Sequence, residues 1–348
     1  MRRFTIAGKE LTENTRPYVI AELGTNHGGS TETMLKMVEV AADCGADAVK
    51  LQKRTNKKLF TKELYGQPYN SEAAYGPTYG LHREALELPM SAFKDARELA
   101  HKLGMDFIAT AFDPEALDFI LEARVDAIKV ASGDLLNIPL QQDMGRTGLP
   151  VIVSCGGGTM EDIDRVVVEW TGADDKLCLL HCTAAYPCEP KDMNLRVIEA
   201  MCDSYPQILI GLSDHQNGIA LALPAFALGA RVFEKHFTLN RASRGTDHAF
   251  SLEPTGLRKL VRDLRRAHES MGDGVKRPMD VEAKSLFKMG KKIVASKPLS
   301  SGICLDDGDV AFKSPNDGIP PYKWSEVKGK YLTEPVDEDE NIEKGWEE

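Results

Sequence analysis

Two histidines stand out for where they fall. His215 closes the run Gly-Leu-Ser-Asp-His, His236 lies in Phe-Glu-Lys-His-Phe, and each closely follows a short apolar run, Ile208 to Leu212 and Ala230 to Glu234. Runs of this kind read as buried strands, and the helical stretch between them, Gly218 to Leu228, completes a βαβ unit that puts both strand ends on one rim. Neutral imidazoles brought together there could share one divalent ion. A lone histidine near a strand end is ordinarily a hydrogen-bonded structural residue, so the reading depends on what else reaches the same rim.

The elements that would position them form a series. Eight short apolar runs alternate with amphipathic stretches: Tyr18 to Leu23, Ala46 to Leu51, Asp106 to Thr110, Ala127 to Ala131, Pro150 to Ser154, Leu177 to Cys182, Ile208 to Leu212 and Ala230 to Glu234. Helical patterns separate them, among them Thr31 to Cys44, Met90 to Leu103, Glu115 to Ala123, Met160 to Trp170 and Leu195 to Cys202, several opened by Ser, Thr, Asp or Asn. Eight βα units in series predict a (β/α)8 TIM barrel. The structural alternative, a doubly wound open sheet, lacks its usual mark, because no Gly-x-Gly-x-x-Gly follows the first run. Gly156 to Gly158 is a loop cue only.

In such a barrel the carboxyl ends of the strands converge on one site. Here they carry Glu22, then Lys50 with Gln52, Thr110, Lys129 with Ser132 and Asp134, Ser154, Thr183 with Tyr186, Ser213 with His215, and His236. Two lysines, several hydroxyls and a bound cation suit a phosphate-bearing substrate, since each offers charge or a donor to oxygens at close range. Glu22 and Asp134, near a cation and two lysines, would be ionised and act as base or electrostatic stabiliser. One strand-end serine is commonly a helix N-cap and one lysine a solvated rim residue. Eight strands all ending in such residues are poorly explained by capping alone.

Composition sets the bounds. The chain of 348 residues, 42% hydrophobic, has a formal net charge of −10, which argues against nucleic acid or an anionic membrane surface as main partner. No stretch approaches the roughly 18 to 20 apolar residues of a membrane span, and the amino terminus lacks a signal-peptide core, so a cytoplasmic location is expected. Seven cysteines form no CxxC pair, and several fall inside strand-like runs, so buried thiols are expected rather than disulfides or a zinc knuckle. The stretch Asn56 to Leu88 has four tyrosines and little helical period, the signature of a long ordered lid loop. After a helix over Gly256 to Ser270, Gly and Pro mark a linker, and short β runs with turn clusters follow. The predicted division is a barrel over 1–272, a linker over 273–284 and a small, mostly β domain over 285–348. Such a small domain needs something to pack against.

Seven ordered motifs now carry a resemblance. Ala21-Glu-Leu-Gly-Thr-Asn-His-Gly-Gly, Ala48-Val-Lys-Leu-Gln, Ala109-Thr-Ala-Phe-Asp, Lys129-Val-Ala-Ser-Gly-Asp, His181-Cys-Thr-x-x-Tyr-Pro, Gly211-Leu-Ser-Asp-His and Glu234-Lys-His-Phe-Thr-Leu resemble the sialic acid synthase family, the nonulosonate synthases. The small domain resembles that family's antifreeze-like (SAF) domain. The resemblance implies condensation of phosphoenolpyruvate with an open-chain N-acetylated hexosamine to a nine-carbon 2-keto acid, with release of phosphate. It implies that Lys50, Thr110, Lys129, Ser132, Ser154 and Ser213 hold phosphoenolpyruvate, and that His215 and His236 bind manganese or magnesium. Glu22 would be the leading acid/base residue, with Asp134, Gln52, Tyr186 and Asp247 on the sugar side. It implies an exchanged homodimer whose small domain caps the partner's site. Two positions depart from the pattern. Ala184 stands where the family carries Ser or Asn, and Lys313-Ser314-Pro315-Asn316 stands where it reads Lys-Arg-Pro-Gly. Ser314 lacks a guanidinium's reach and fork of donors, so Lys313 or another group takes over, the acceptor differs from N-acetylmannosamine, or the change is harmless drift with the same substrate. Other readings are a related synthase acting on a phosphosugar, such as a 3-deoxy-octulosonate or 3-deoxy-heptulosonate phosphate synthase, and a non-catalytic sugar-binding barrel.

Overall fold

The computed structural model describes residues 1–342 and 346–347. Residues 343–345 and 348, the end of the predicted small domain, lie outside the described residues. The chain divides into two compact units, Met1–Met271 and Gly272–Glu348.

The first unit opens with an antiparallel hairpin, β1 (Arg3–Ile6) and β2 (Lys9–Thr12). Its turn residues Ala7 and Gly8 both have positive φ, 47° and 75°, the geometry of two-residue turns whose twist matches the strands they join. Eight parallel strands follow: β3 (Tyr18–Glu22), β4 (Ala48–Lys53), β5 (Asp106–Ala111), β6 (Ala127–Val130), β7 (Val151–Ser154), β8 (Leu177–Cys182), β9 (Leu209–Asp214) and β10 (Val232–His236). They close into a barrel in the order β10-β3-β4-β5-β6-β7-β8-β9. Apolar residues on both faces of each strand explain the closure, because a parallel sheet is buried on both sides.

The period of two along each strand sorts the residues into layers. Ile20, Ala48, Ile108, Ala127, Ile152, Leu180, Leu209 and Val232 form an inner apolar layer, and Phe4 and Ile6 of the hairpin pack into it as a plug. The intervening residues, such as Val19, Val49, Phe107, Ile128 and Phe233, pack outward in a separate core shared with the helices. One step above the inner layer the same alternation places Glu22, Lys50, Thr110, Lys129, Ser154, Ser213 and Glu234. Register pairing sets Glu22 beside Lys50, Thr110 beside Lys129, and Ser213 beside Glu234. Gly211 stands among the inner residues because a Cβ there would meet the Val232 carbonyl oxygen at 2.2 Å. Phe4 is fully buried, so Phe4→Ala is expected to cost about 3–5 kcal/mol. Urea unfolding of the two proteins checks this, and a loss below about 1 kcal/mol would mean that the plug does not support the barrel.

Differences from the sequence reading have local causes. The hairpin was not anticipated, because two four-residue strands carry little pattern. The stretch Asn56 to Leu88 is not an irregular loop but holds three short helices, Asn56–Leu59, Lys62–Gly66 and Tyr79–Glu84, too brief to display a helical period. Its aromatic content does order it: Tyr79 packs edge-on against Phe60 and Tyr69, with ring centres 5.1 and 5.7 Å apart. The helix expected over Gly218 to Leu228 contracts to Ala222–Ala227. All seven cysteines are free thiols, six of them buried. No helix among the described residues is long and apolar enough to cross a membrane.

The second unit contains a helix, Ala283–Met289, and an antiparallel pair, β11 (Lys292–Ala295) with β12 (Val310–Lys313). Its core is small, built from residues including Ile293, Leu299, Leu305, Val327, Leu332 and Val336.

Candidate active site

A cavity of about 530 Å³ occupies the carboxyl end of the barrel. Its walls include twelve of the residues singled out above: Glu22, Lys50, Gln52, Thr110, Lys129, Ser132, Ser154, Tyr186, Ser213, His215, His236 and Asp247. Glu234, Arg54, Arg83, Phe112, Gly133 and Thr246 join them, and so does Ala184.

The deepest part is a charged cluster. Lys50 Nζ lies 2.6 Å from Glu22 Oε2 and 3.8 Å from Glu234 Oε1, and donates to Thr110 Oγ1 at 3.0 Å. Burial by itself would lower the Lys50 pKa, but Glu22 and Glu234 outweigh it and hold the ammonium above its ordinary value. Lys129 Nζ donates to Ser154 Oγ at 2.6 Å and to the Val130 carbonyl at 2.7 Å. Burial lowers its pKa and Glu234 opposes the change. The two carboxyl groups diverge. Burial raises Glu22, with Glu234 adding to the rise against the pull of Lys50, whereas in Glu234 the two lysines overcome burial and hold the pKa below its usual value. Opposite shifts of this kind suit Glu22 to exchanging a proton and Glu234 to staying ionised. Gln52 Nε2 donates to Glu22 Oε1 at 2.5 Å and fixes its orientation.

On the other wall the rings of His215 and His236 lie 5.4 Å apart. Burial keeps both neutral; His215 is lowered to about 4 by burial and by His236, and His236 is lowered by burial. His215 Nδ1 faces the Thr183 carbonyl at 3.3 Å, which assigns that nitrogen its proton and leaves Nε2 as a lone pair. His236 Nδ1 is buried without a hydrogen-bond partner, and its nearest carboxylate oxygen, Asp247 Oδ2, is 3.9 Å away. Gly24, at φ 52°, gives the ring its room, since a Cβ there would meet His236 Nδ1 at 3.3 Å and Asp247 Oδ2 at 3.2 Å. Behind the two rings, Lys235 Nζ donates to Asp214 Oδ2 at 2.7 Å across adjacent strand ends and fixes the register from which both histidines project. Two neutral imidazoles, one with an orphaned nitrogen, fit a divalent ion. Among the described residues no group of three or more His, Cys, Asp or Glu could hold a metal ion, so such an ion must complete its shell with water or substrate oxygens.

Three residues flank this pair. Tyr186 packs on His215 with ring centres 4.3 Å apart, and burial raises its phenol pKa, so it donates rather than ionises at neutral pH. Asp247 accepts from Thr25 Oγ1 at 3.1 Å and Thr246 Oγ1 at 2.8 Å. Burial pushes Asp247 up, but His236 and these hydroxyls outweigh it and keep the carboxylate ionised. Ser132 Oγ accepts the Gly156 N–H at 3.1 Å, and a side chain at Gly156 would collide with it at 2.6 Å, which accounts for the glycine run after β7.

Two other expected residues have their own settings. Asp134 is not among the cavity residues: it sits in the 3-10 turn Ser132–Asp134, where its Oδ1 accepts from Asn137 Nδ2 at 3.1 Å, so it serves the turn. Lys313 belongs to the second unit, where its ammonium pairs with Asp339. Glu234 was missed as a site residue because it was counted as the end of an apolar run; the period of two read back from His236 would have found it. Arg54 and Arg83 lie beyond β4, in a stretch with no strand-end rule to flag them.

A (β/α)8 barrel with lysines, hydroxyls and neutral imidazoles gathered at the carboxyl ends of its strands defines the class of protein. Residues 37–276 match the NeuB family, and the chain belongs to that family. It is 35% identical to an N-acetylneuraminate-9-phosphate synthase of Mus musculus over 93% of this chain and 91% of the relative. It is 34% identical to an N,N'-diacetyllegionaminic acid synthase of Campylobacter jejuni over 93% and 98% of the two chains. Among solved structures, N-acetylneuraminic acid synthetase from Leptospira borgpetersenii, crystallised with citrate, superposes with a TM-score of 0.72 at 31% identity, covering 82% of this chain and 95% of that one.

Proposed function

We propose that this barrel condenses phosphoenolpyruvate with an open-chain N-acetylated amino sugar, N-acetylmannosamine or a diacetamido-dideoxy hexose, to a nine-carbon 2-keto sugar acid, releasing phosphate. Membership of the NeuB family and relatives named for sialic and legionaminic acid synthesis support the reading. The observation that carries it is the buried lysine pair, Lys50 and Lys129, with the hydroxyls of Thr110, Ser154 and Ser213, lining one cavity with the neutral histidine pair.

The chain's residues divide the work. Lys50, Lys129 and the hydroxyls of Thr110, Ser132, Ser154 and Ser213 hold the oxyanions of phosphoenolpyruvate and strip its water. His215 and His236 would hold manganese or magnesium, which would supply Lewis-acid polarisation of the acceptor aldehyde. Gln52, Tyr186 and Asp247 orient the sugar. C3 of the enol then forms its bond to the aldehyde carbon, whose oxygen takes a proton. Water adds at C2, passing one proton to Glu22; the C2–oxygen bond to phosphate then breaks while the new C2 hydroxyl gives its proton to the departing phosphate, leaving the keto acid. Incubating the protein with manganese, phosphoenolpyruvate and a panel of amino sugars, with phosphate release followed, tests this; no release with any acceptor would overturn it.

The second unit is assigned a capping role in a homodimer, each copy's small domain closing the partner's barrel. Its small core and its exposed Val281, Phe287, Phe312 and Tyr322 support docking on another surface. If Ser314 marks a lost contact with the acceptor, Ser314→Arg should raise kcat/KM for N-acetylmannosamine relative to diacetamido sugars by roughly tenfold, one charge-assisted hydrogen bond's worth. An unchanged ratio in competition assays would remove Ser314 from the account. The relatives' names cover phosphorylated and unphosphorylated products alike, so family membership leaves the acceptor's charge open.

A further inference from the structure

We propose that Arg54 and Arg83 form a second oxyanion site in this cavity, so that the acceptor sugar carries a phosphate or carboxylate group away from its aldehyde. The inference rests on the condensation reading and replaces the neutral acceptors named there with an anionic relative of them.

Both arginines line the cavity, but from elements other than those that carry the lysines. Arg54 comes one residue after β4, and Arg83 projects from the helix Tyr79–Glu84. Arg54 is fixed in place: its guanidinium carbon lies 3.8 Å from the centre of the Phe112 ring, and one N–H donates to Gln52 Oε1 at 2.7 Å. Arg83 Nε donates to the Tyr79 hydroxyl at 3.2 Å. Each guanidinium therefore keeps most of its five donors unspent.

Neither has a carboxylate partner. Among the described residues no ion pair involves Arg54 or Arg83, and the nearby Glu87 is taken by Lys53 Nζ at 2.6 Å. Burial and the charge of Arg83 lower the Arg54 pKa to about 10, and the charges of Glu87 and Asp247 only partly oppose them. Both guanidinium groups are half-buried, and a lid held only by packing would have no need of two neighbouring cations that make no ion pair. An oxyanion gripped in a bidentate manner supplies the missing partner.

The position along the strand separates this site from the lysines. Four residues divide Lys50 from Arg54, about 13 Å of extended chain, with Gln52 of the sugar side midway. The lysines already have the donors that phosphoenolpyruvate needs, so the arginines face the far end of the acceptor.

The test uses the full-length protein with manganese and phosphoenolpyruvate, and three acceptors: N-acetylmannosamine, its 6-phosphate and N-acetylmannosaminuronate. Product formation by mass spectrometry gives kcat/KM for each. The expected result is a preference of about 10²-fold for one anionic acceptor over the neutral sugar. The 6-phosphate leading assigns a phosphate ester, and the uronate leading assigns a carboxylate. Arg83→Met should raise KM for the preferred acceptor about 30-fold or more and collapse the preference, with KM for phosphoenolpyruvate within threefold of the parent and Arg83→Lys intermediate. A neutral acceptor used as well as or better than both anions overturns the inference while leaving the condensation reading intact. So does an Arg83→Met variant that weakens phosphoenolpyruvate and spares the acceptor. No product with any of the three and none across the wider panel overturns the condensation reading, and this inference with it.

Discussion

His236→Ala is expected to lower kcat by at least about 10³-fold while the protein remains folded, since Lewis-acid stabilisation of the developing alkoxide is worth several kcal/mol. The ring is buried, neutral and placed 5.4 Å from that of His215, and its Nδ1 has no hydrogen-bond partner among the described residues. Removing it takes away half of the two-imidazole set, and no third ligand group stands by among the described residues. His215→Ala should behave alike. Steady-state assays with added manganese measure the loss, calorimetric titration with manganese alone measures the affinity, and circular dichroism checks the fold. Full activity in either variant, insensitive to chelator, would sink the metal assignment.

Glu22→Gln should cut kcat by roughly 10²–10⁴-fold, the range for loss of a positioned proton carrier. The substitution preserves shape and the contact with Gln52 but removes the charge that faces Lys50 at 2.6 Å. Two effects then act together: no base remains for the attacking water, and Lys50 loses the neighbour that most raises its proton affinity. The pH profile separates a proton role from a structural one. Burial raises the Glu22 pKa, so the working carboxylate is lost, and activity with it, as pH falls through a value above the usual carboxylate range. That acid limb should be absent from the residual activity of Glu22→Gln. If kcat were unchanged, or if the limb survived in the variant, Glu22 would be a structural partner of Lys50 and nothing more.

Why so much of the site could be read from the chain follows from the barrel's own regularity. A parallel strand fixes its side chains with a period of two, and its carboxyl end faces the mouth, so Lys50, Thr110, Lys129, Ser154 and His236 could be placed from the ends of apolar runs. Where that rule stopped, so did the reading. Glu234 was hidden because a buried carboxylate inside a strand counts as part of the run. Asp134 is absent from the cavity wall because it lies past β6 in a tight turn, where its carboxylate accepts from Asn137. Arg54 and Arg83 depend on the tertiary placement of three short helices, and the hairpin plug at the opposite end on a turn that only Ala7 and Gly8 betray.

The central claim is that a carbon–carbon bond forms in this cavity at the expense of phosphoenolpyruvate. Its most direct test is mass spectrometry of the products when phosphoenolpyruvate labelled with oxygen-18 at the bridging C2–oxygen position meets the amino-sugar panel with manganese present. The account predicts a 2-keto acid with the mass of acceptor plus pyruvate, free of label, with the label in phosphate. Label retained in the keto acid, or pyruvate with unchanged sugar, would contradict it.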